Sequence, residues 1–213
     1  MENIELLKNK FTETYLQHKW RHNDGESKSG EGSSLYWTEN YRIELTTLIK
    51  KFSIKTILDC SCGDWNWTQE LSSELIDYTG VDIVEDLINL NNLKYGNDKI
   101  KFVCSDMYSF LLNTKNKYDL IICRHTFEHL PTEYGLKTMA LIKDKSKYCL
   151  LSSQDVNENN EINFDGYTSR NLNLTIEPYF SLLKKPIYKF VDSPMNNNGL
   201  MYNNVFGNFY KFK

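Results

Sequence analysis

The chain has no apolar stretch long enough to span a membrane. Its start, MENIELLKNKF, lacks the basic segment and apolar run of a secretory signal, so no export leader is expected. Basic residues are scattered, apart from pairs such as Lys50-Lys51 and Lys184-Lys185, and the formal net charge is -3. Phosphate backbones need a concentrated basic face, so no nucleic-acid partner is expected. Cysteines number five, an odd count in a chain large enough to need no staples. A reducing, cytoplasmic setting is expected. Cys60 and Cys62 lie one residue apart, and His125 and His129 flank Glu128. Neither group has further ligands at helpful spacing, and a structural zinc wants four in paired clusters. No metal is therefore expected, and the Cys pair is read as small buried packing.

Present instead are 40% hydrophobic residues, enough for a core, and 14% aromatics, which fill cores and line pockets for flat ligands. With 213 residues, one domain is expected. Helical spacing runs through Ile4, Leu7, Phe11 and Tyr15, and again through Tyr41, Leu45 and Leu48. The polar, glycine-bearing segment 22–34 between them reads as a loop. After residue 51 the pattern alternates. Short apolar runs KTILDCS, YTGVDIV, KIKFVCSD, YDLIICR and KYCLLSS are separated by WTQELSSEL, EDLINLNNLKYG, MYSFLLN and HTFEHLPTEYGLKTMALIK. Strand and helix in alternation imply an α/β, doubly wound, mostly parallel sheet covered on both faces. KPIYKFVDS and NVFGNFYKFK, joined by MNNNGLMYN, read as a C-terminal antiparallel hairpin at one sheet edge.

In such a sheet ligands bind beyond the carboxyl ends of the strands, near the switch in strand order. Those ends carry Asp59-Cys60-Ser61-Cys62-Gly63, Asp82, Ser105-Asp106, Cys123-Arg124-His125 and Ser152-Ser153-Gln154. Asp82 follows the first loop at the spacing, about 20 residues, of a carboxylate that accepts from both hydroxyls of a ribose; the alternative is a solvated turn Asp. Asp106 can accept from an adenine amino group, with Met107 against the ring. The first loop keeps Gly63 alone from G-x-G-x-x-G, with bulky Trp65 beside it. A pyrophosphate needs several close backbone approaches, so NAD, FAD and ATP are disfavoured, whereas adenosine without phosphate is tolerated.

The series LDCSCGDWNW, GVDI, CSDM and YDLIICRHTFEHLP resembles the class I S-adenosylmethionine-dependent methyltransferases. Ser61 and Trp65 stand where that family usually has glycines. A narrower bacterial subgroup, with a G-D-F-N-W-M-like first motif, is similar through Gly63-Asp64-Trp65-Asn66-Trp67, Ser29-Gly30-Glu31-Gly32-Ser33-Ser34-Leu35 and Tyr167-Thr168-Ser169-Arg170-Asn171-Leu172-Asn173-Leu174. That subgroup is associated with surface-polysaccharide or modified-sugar biosynthesis.

The resemblance implies one methyltransferase domain over 1–213, with a helical cap and loop over 1–50 and a Rossmann-like core over 51–213. It implies S-adenosyl-L-methionine as cofactor. Asp59 and Gly63 would shape the pocket for its methionine end, Asp82 hold the ribose, Asp106 and Met107 the adenine, and the Arg124 backbone lie beside the amino group. Trp37 and Arg42 would close over it. Arg42 would suit its carboxylate, or else pair with Glu39 on the helix surface. His125 is read as a general base or an acceptor-binding group; the subgroup usually has Asp there. His129 is a second catalytic candidate, with a structural role as the alternative. Tyr167, Arg170 and Asn173 would bind the acceptor, or else belong to an ordinary surface loop. A small polar acceptor, a sugar, nucleotide sugar or surface-glycan precursor, is expected. An amine, phosphate-like or protein acceptor, or a non-catalytic cofactor-binding module, is the alternative. No (Asp/Asn)-Pro-Pro-aromatic motif supports a nucleic-acid acceptor.

Overall fold

The structure is a computed structural model that describes residues 4–20, 26–71, 76–162, 164–165, 168–192 and 205–212. Helices α1 (Ile4–Leu16) and α2 (Glu39–Lys51) precede strand β1 (Thr56–Cys60). There follow β2 (Asp77–Asp82), α3 (Glu85–Tyr95), β3 (Ile100–Cys104), α4 (Met107–Asn113), β4 (Tyr118–Cys123), α5 (Thr132–Lys145) and β5 (Ser146–Gln154). The chain closes with α6 (Tyr179–Leu183), β6 (Tyr188–Val191) and β7 (Val205–Lys211).

The strands form one seven-stranded sheet in the order β3-β2-β1-β4-β5-β7-β6. The first five are parallel; β7 runs antiparallel to β5, and β6 antiparallel to β7 at the outer edge. The expected edge hairpin is thus present. Its connecting loop lies outside the described residues. Strand order reverses between β1 and β4, which opens a crevice beyond Cys60, Asp82 and Cys123.

Alternation along each strand divides the core into two clusters. Leu58, Cys60, Ile121, Cys149 and Leu151 face one side, with Met139 and Ile142 of α5 and Leu111 of α4. Ile57, Leu120, Ile122, Tyr148 and Leu150 face the other, with Tyr41, Leu45 and Leu48 of α2 and Ile88 of α3. Central strands buried on both faces read as continuous apolar runs, which is why their sequences show no polar alternation. Each fully buried Leu or Ile contributes about 1.5–3 kcal/mol.

The helix ends follow the dipole: Glu85 and Asp86 open α3, while Lys50 and Lys51 close α2. One expected helix does not form over the described residues. WTQELSSEL forms only a 3-10 turn over Thr68–Leu71, and residues 72–75 lie outside the described residues. The Gln69 side chain donates to the Asn66 carbonyl at 2.7 Å, and Glu70 N bonds Trp67 O in the tighter i to i+3 pattern. Such a side-chain bond competes with α-helix continuation. Among the described residues no helix is long and apolar enough to cross a membrane.

Candidate active site

The strand-end crevice deepens into a cavity of about 970 Å³, counting space open to solvent. Asp59, Gly63, Asp82, Asp106, Met107, Arg124, His125 and His129 all line it. These come from four strand ends and the turns that follow, and the parallel register of β1 with β2 and β4 sets them side by side.

The loop after β1 solves the missing-glycine problem with its backbone. Ser61 and Trp65 adopt φ 71° and 58°, the left-handed region that glycine visits freely. The loop thus keeps its turn without its usual residues. Strain of this kind costs of order 1–3 kcal/mol and needs compensation nearby. Trp65 finds it in the core: it is 3% exposed, with ring centroids 4.8 Å from Tyr95, 5.3 Å from Phe102 and 5.7 Å from Tyr78. Trp65 therefore points away from the cavity, whereas Trp67 lines it and packs edge-on to Tyr41. Gly63, at φ 56°, has no room for a side chain, since a Cβ there would overlap the Ser29 hydroxyl.

That crowding shows why the glycine-serine segment accompanies G-D-W-N-W. The Asp64 carboxylate accepts from Ser27 Oγ at 3.1 Å, Lys28 N at 2.6 Å and Ser29 Oγ at 3.0 Å. Asp64 N donates back to Ser29 Oγ at 3.0 Å. Asn66 Nδ2 donates to Glu26 Oε1 at 2.7 Å and to the Ser33 carbonyl at 3.1 Å. Tyr15 on α1 bonds Ser29 as well. The segment is thus held over the loop, and Leu7, Phe11 and Tyr15 of α1, with Trp20, form a further wall of the cavity.

Asp82 is 9% exposed and accepts Gly63 N on Oδ2 and Val84 N on Oδ1, each at 3.0 Å. Burial raises its pKa, while the backbone N–H bonds from Val84 and Gly63 pull it back. Each oxygen keeps a second lone pair for a ligand hydroxyl. Asp59 is 3% exposed and accepts from Tyr78 OH at 2.7 Å. Burial pushes it from 3.8 up to about 7, against the Tyr78 bond and with the help of Asp82. Asp106 caps α4, accepting Ser109 N at 2.9 Å, and Tyr134 OH donates to the same oxygen at 3.0 Å.

On the β4 side, His125 adopts φ 52° and its Nδ1 lies 2.8 Å from Glu128 Oε1. Burial would raise the Glu128 pKa, but the charge and hydrogen bond of His125 outweigh it and hold it at about 2. A carboxylate on Nδ1 fixes the ring's orientation. His129 turns its Nδ1 to the Thr168 carbonyl at 3.0 Å and packs against Trp20, centroids 5.4 Å apart. The Arg124 side chain, expected only to lend its backbone, is 9% exposed and pairs with Asp192 at 2.6 Å.

Four expected site residues lie elsewhere. Trp37 does not line the cavity; its Nε1 donates to Glu31 at 3.2 Å. Arg42 is likewise outside, spent on the Leu35 carbonyl at 2.9 Å and Thr38 Oγ1 at 3.3 Å rather than on Glu39. Arg170 is 5% exposed and braces the loops, donating to Thr132 Oγ1, the Asn160 carbonyl and Tyr179 OH at 2.6–2.8 Å. Asn173 is 4% exposed and bonds the Val156 carbonyl and Thr175. A side chain committed to buried backbone groups is costly to redirect to a ligand. Tyr167 lies outside the described residues. Cys60 and Cys62 are free, buried thiols. Among the described residues no three His, Cys, Asp or Glu side chains cluster as a metal ion would need.

The sequence reading missed Glu128 as the partner of His125, Tyr134 as the partner of Asp106, and the α1 wall. The wall had a signal: Leu7, Phe11 and Tyr15 recur every four residues, one stripe of a helix.

Comparison with known proteins agrees with this geometry. The profile of a methyltransferase domain matches residues 36–182. A ubiquinone biosynthesis O-methyltransferase from Hydrogenovibrio crunogenus is 26% identical over 106 residues, 49% of this chain and 44% of the relative. The chain therefore matches less than half the length of that curated relative. Among solved structures, 1,6-didemethyltoxoflavin-N1-methyltransferase from Burkholderia thailandensis, with bound 1,6-didemethyltoxoflavin and S-adenosylhomocysteine, superposes at TM-score 0.69. It is 16% identical, and the match covers 97% of this chain and 87% of that one. An S-adenosylmethionine-dependent methyltransferase from Clostridium acetobutylicum superposes at TM-score 0.60 with 16% identity, covering 82% and 91%. At those identities the likeness concerns the fold. With the profile spanning more than half of the residues, and the strand order and crevice of an α/β ligand-binding sheet, the chain belongs to the methyltransferase domain family.

Proposed function

We propose that the chain is an S-adenosyl-L-methionine-dependent methyltransferase that O-methylates a small polar acceptor: a sugar, nucleotide sugar or surface-glycan precursor. The observation that carries this reading is the convergence, in one cavity, of an adenosine-type carboxylate series with His125, whose Nδ1 is held by Glu128 behind it. The residues fit the cofactor. Gly63 cannot carry a side chain, Asp82 keeps lone pairs for the ribose hydroxyls, and Asp106 with Met107 suits the adenine. Asp59 and Gly63 would border the methionine end. When bound, the cofactor supplies a methyl carbon activated by a sulfonium, whose sulfur leaves with the electron pair as a neutral thioether.

The chain's own groups do the rest. The cavity walls align the acceptor oxygen for in-line attack, the largest contribution an enzyme makes to such a displacement. His125 lines the cavity and is the base of this reading, while Glu128 holds its Nδ1 and balances the positive ring that results. Phe11 and Trp20 offer apolar faces, and Ser33 and His129 offer polar groups. A sugar, with C–H faces and hydroxyl edges, needs that mixture.

Titration calorimetry with S-adenosylhomocysteine tests the cofactor: binding by the parent and at least tenfold weaker binding by Asp82→Ala are expected. Silence from the parent would end the reading. A panel of sugars and nucleotide sugars with labelled cofactor tests the acceptor. Label appearing only on amines or phosphates would replace the sugar assignment.

A further inference from the structure

A buried carboxylate far along the chain faces the same histidine. Asp192, at the end of β6, is 0% exposed. Its Oδ1 takes two bonds from Arg124, Nε at 2.9 Å and Nη2 at 2.6 Å. Its Oδ2 accepts from Ser152 Oγ at 2.8 Å and lies 3.7 Å from His125 Nε2, the nitrogen not engaged by Glu128. Arg124 is anchored in turn: Nη1 donates to the Gly32 carbonyl at 2.7 Å, and its guanidinium lies over Tyr41 and Trp67 at 5.2 and 5.9 Å. One ion pair thus ties the end of β4, the glycine-serine segment and the edge hairpin together beside the candidate base.

We propose that Asp192 is a positioning residue for His125, steadied by Arg124 and Ser152, that stabilises the ring when it carries a positive charge. A fully buried ion pair is weak support for stability, since desolvation offsets its attraction. Its placement gives it a different use. At 3.7 Å a carboxylate favours a positive charge on the ring, and Arg124, bound to the other oxygen, tempers that pull. Among the described residues the charged groups near the ring include Glu128 and His129 from the turn after β4, Arg124 from the end of β4, and Asp192 from the hairpin. The ring thus lies between two carboxylates, one on Nδ1 at 2.8 Å and one 3.7 Å from Nε2. The role rests on His125 acting as base, and the experiment separates the two.

The measurement is an NMR titration of the histidine ring resonances in the full chain without ligand. The sequence has four histidines, and His125→Asn identifies the relevant signal. In Asp192→Asn, with the fold verified by its spectrum, the His125 midpoint should lie about one pH unit below the parent's. The Ser152→Ala variant keeps the ion pair and removes a donor from Oδ2. It should move the midpoint upward by about half a unit, and it carries the test if Asp192→Asn fails to fold. A midpoint within about 0.2 units of the parent's in whichever variant folds would overturn the proposal, because a purely structural ion pair would leave it there. Failure of cofactor binding or methyl transfer would strike the proposed function and leave this titration unaffected.

Discussion

Asp59 supplies the most quantitative test of the site. It lines the cavity at 3% exposure, accepts from Tyr78 OH and is raised by burial to about 7. An acid whose folded value lies above its unfolded value holds its proton more tightly when folded. Its contribution to stability is therefore complete below pH 3.8 and is lost as pH rises from there through about 7. The loss is about 1.4 kcal/mol per pH unit, or ~4 kcal/mol over the window. Asn is close to isosteric and its carbonyl can still accept from Tyr78, so Asp59→Asn removes the titration with little repacking. Urea unfolding of parent and variant at pH 5, 6, 7 and 8 isolates the effect of Asp59 and its coupling to Asp82, because titrating groups that do not interact with Asp59 cancel in the difference. The variant should gain ~3 kcal/mol on the parent between pH 5 and pH 8, most of it below pH 7. Parallel stability curves would refute the reasoning: Asp59 would then ionise as readily folded as unfolded, and the site would be wetter than its burial implies.

Three further outcomes follow from the same geometry. Gly63→Ala should cost about 1–2 kcal/mol in left-handed strain and displace the Ser29 hydroxyl, seen as a lower thermal midpoint and roughly tenfold weaker S-adenosylhomocysteine binding by calorimetry. Trp65→Gly restores the residue usual at that turn, yet should destabilise by ~2–4 kcal/mol in urea melts. The lost core aromatic is worth ~3–5 kcal/mol and the backbone relief only of order 1. Arg170→Ala should lose about 1–3 kcal/mol of stability by stranding the buried Tyr179 hydroxyl, while cofactor-product affinity stays at the parent's value, since Arg170 lies outside the cavity.

The order of apolar runs in the sequence led to the sheet, its edge hairpin and the five strand ends where a ligand would bind. Those features are local: a buried strand is recognisable within its own few residues, and parallel connection through helices sends all the carboxyl ends to one edge. The acidic residues at those ends, Asp59, Asp82 and Asp106, are therefore placed by the sequence alone. Trp65 shows where pattern reading stops. Its backbone angle follows the family turn, but whether the ring enters the cavity or the core depends on Tyr78, Tyr95 and Phe102, from three other elements.

Charged side chains were the hardest to assign, for a physical reason. A long cation such as Arg42 or Arg170 reaches whichever acceptor the fold brings near, and buried carbonyls compete successfully with a ligand. Asp192 is the extreme case. It stands 67 positions beyond His125 in the chain, and only the antiparallel pairing of β6 on β7, and of β7 on β5, carries it to the ring. The amino-acid sequence by itself determined the sheet, its binding edge and the carboxylates along it, because short-range periodicity encodes those. Tertiary structure alone decided which side chains meet across that edge, because hydrogen-bond partners from distant strands are chosen by packing and desolvation.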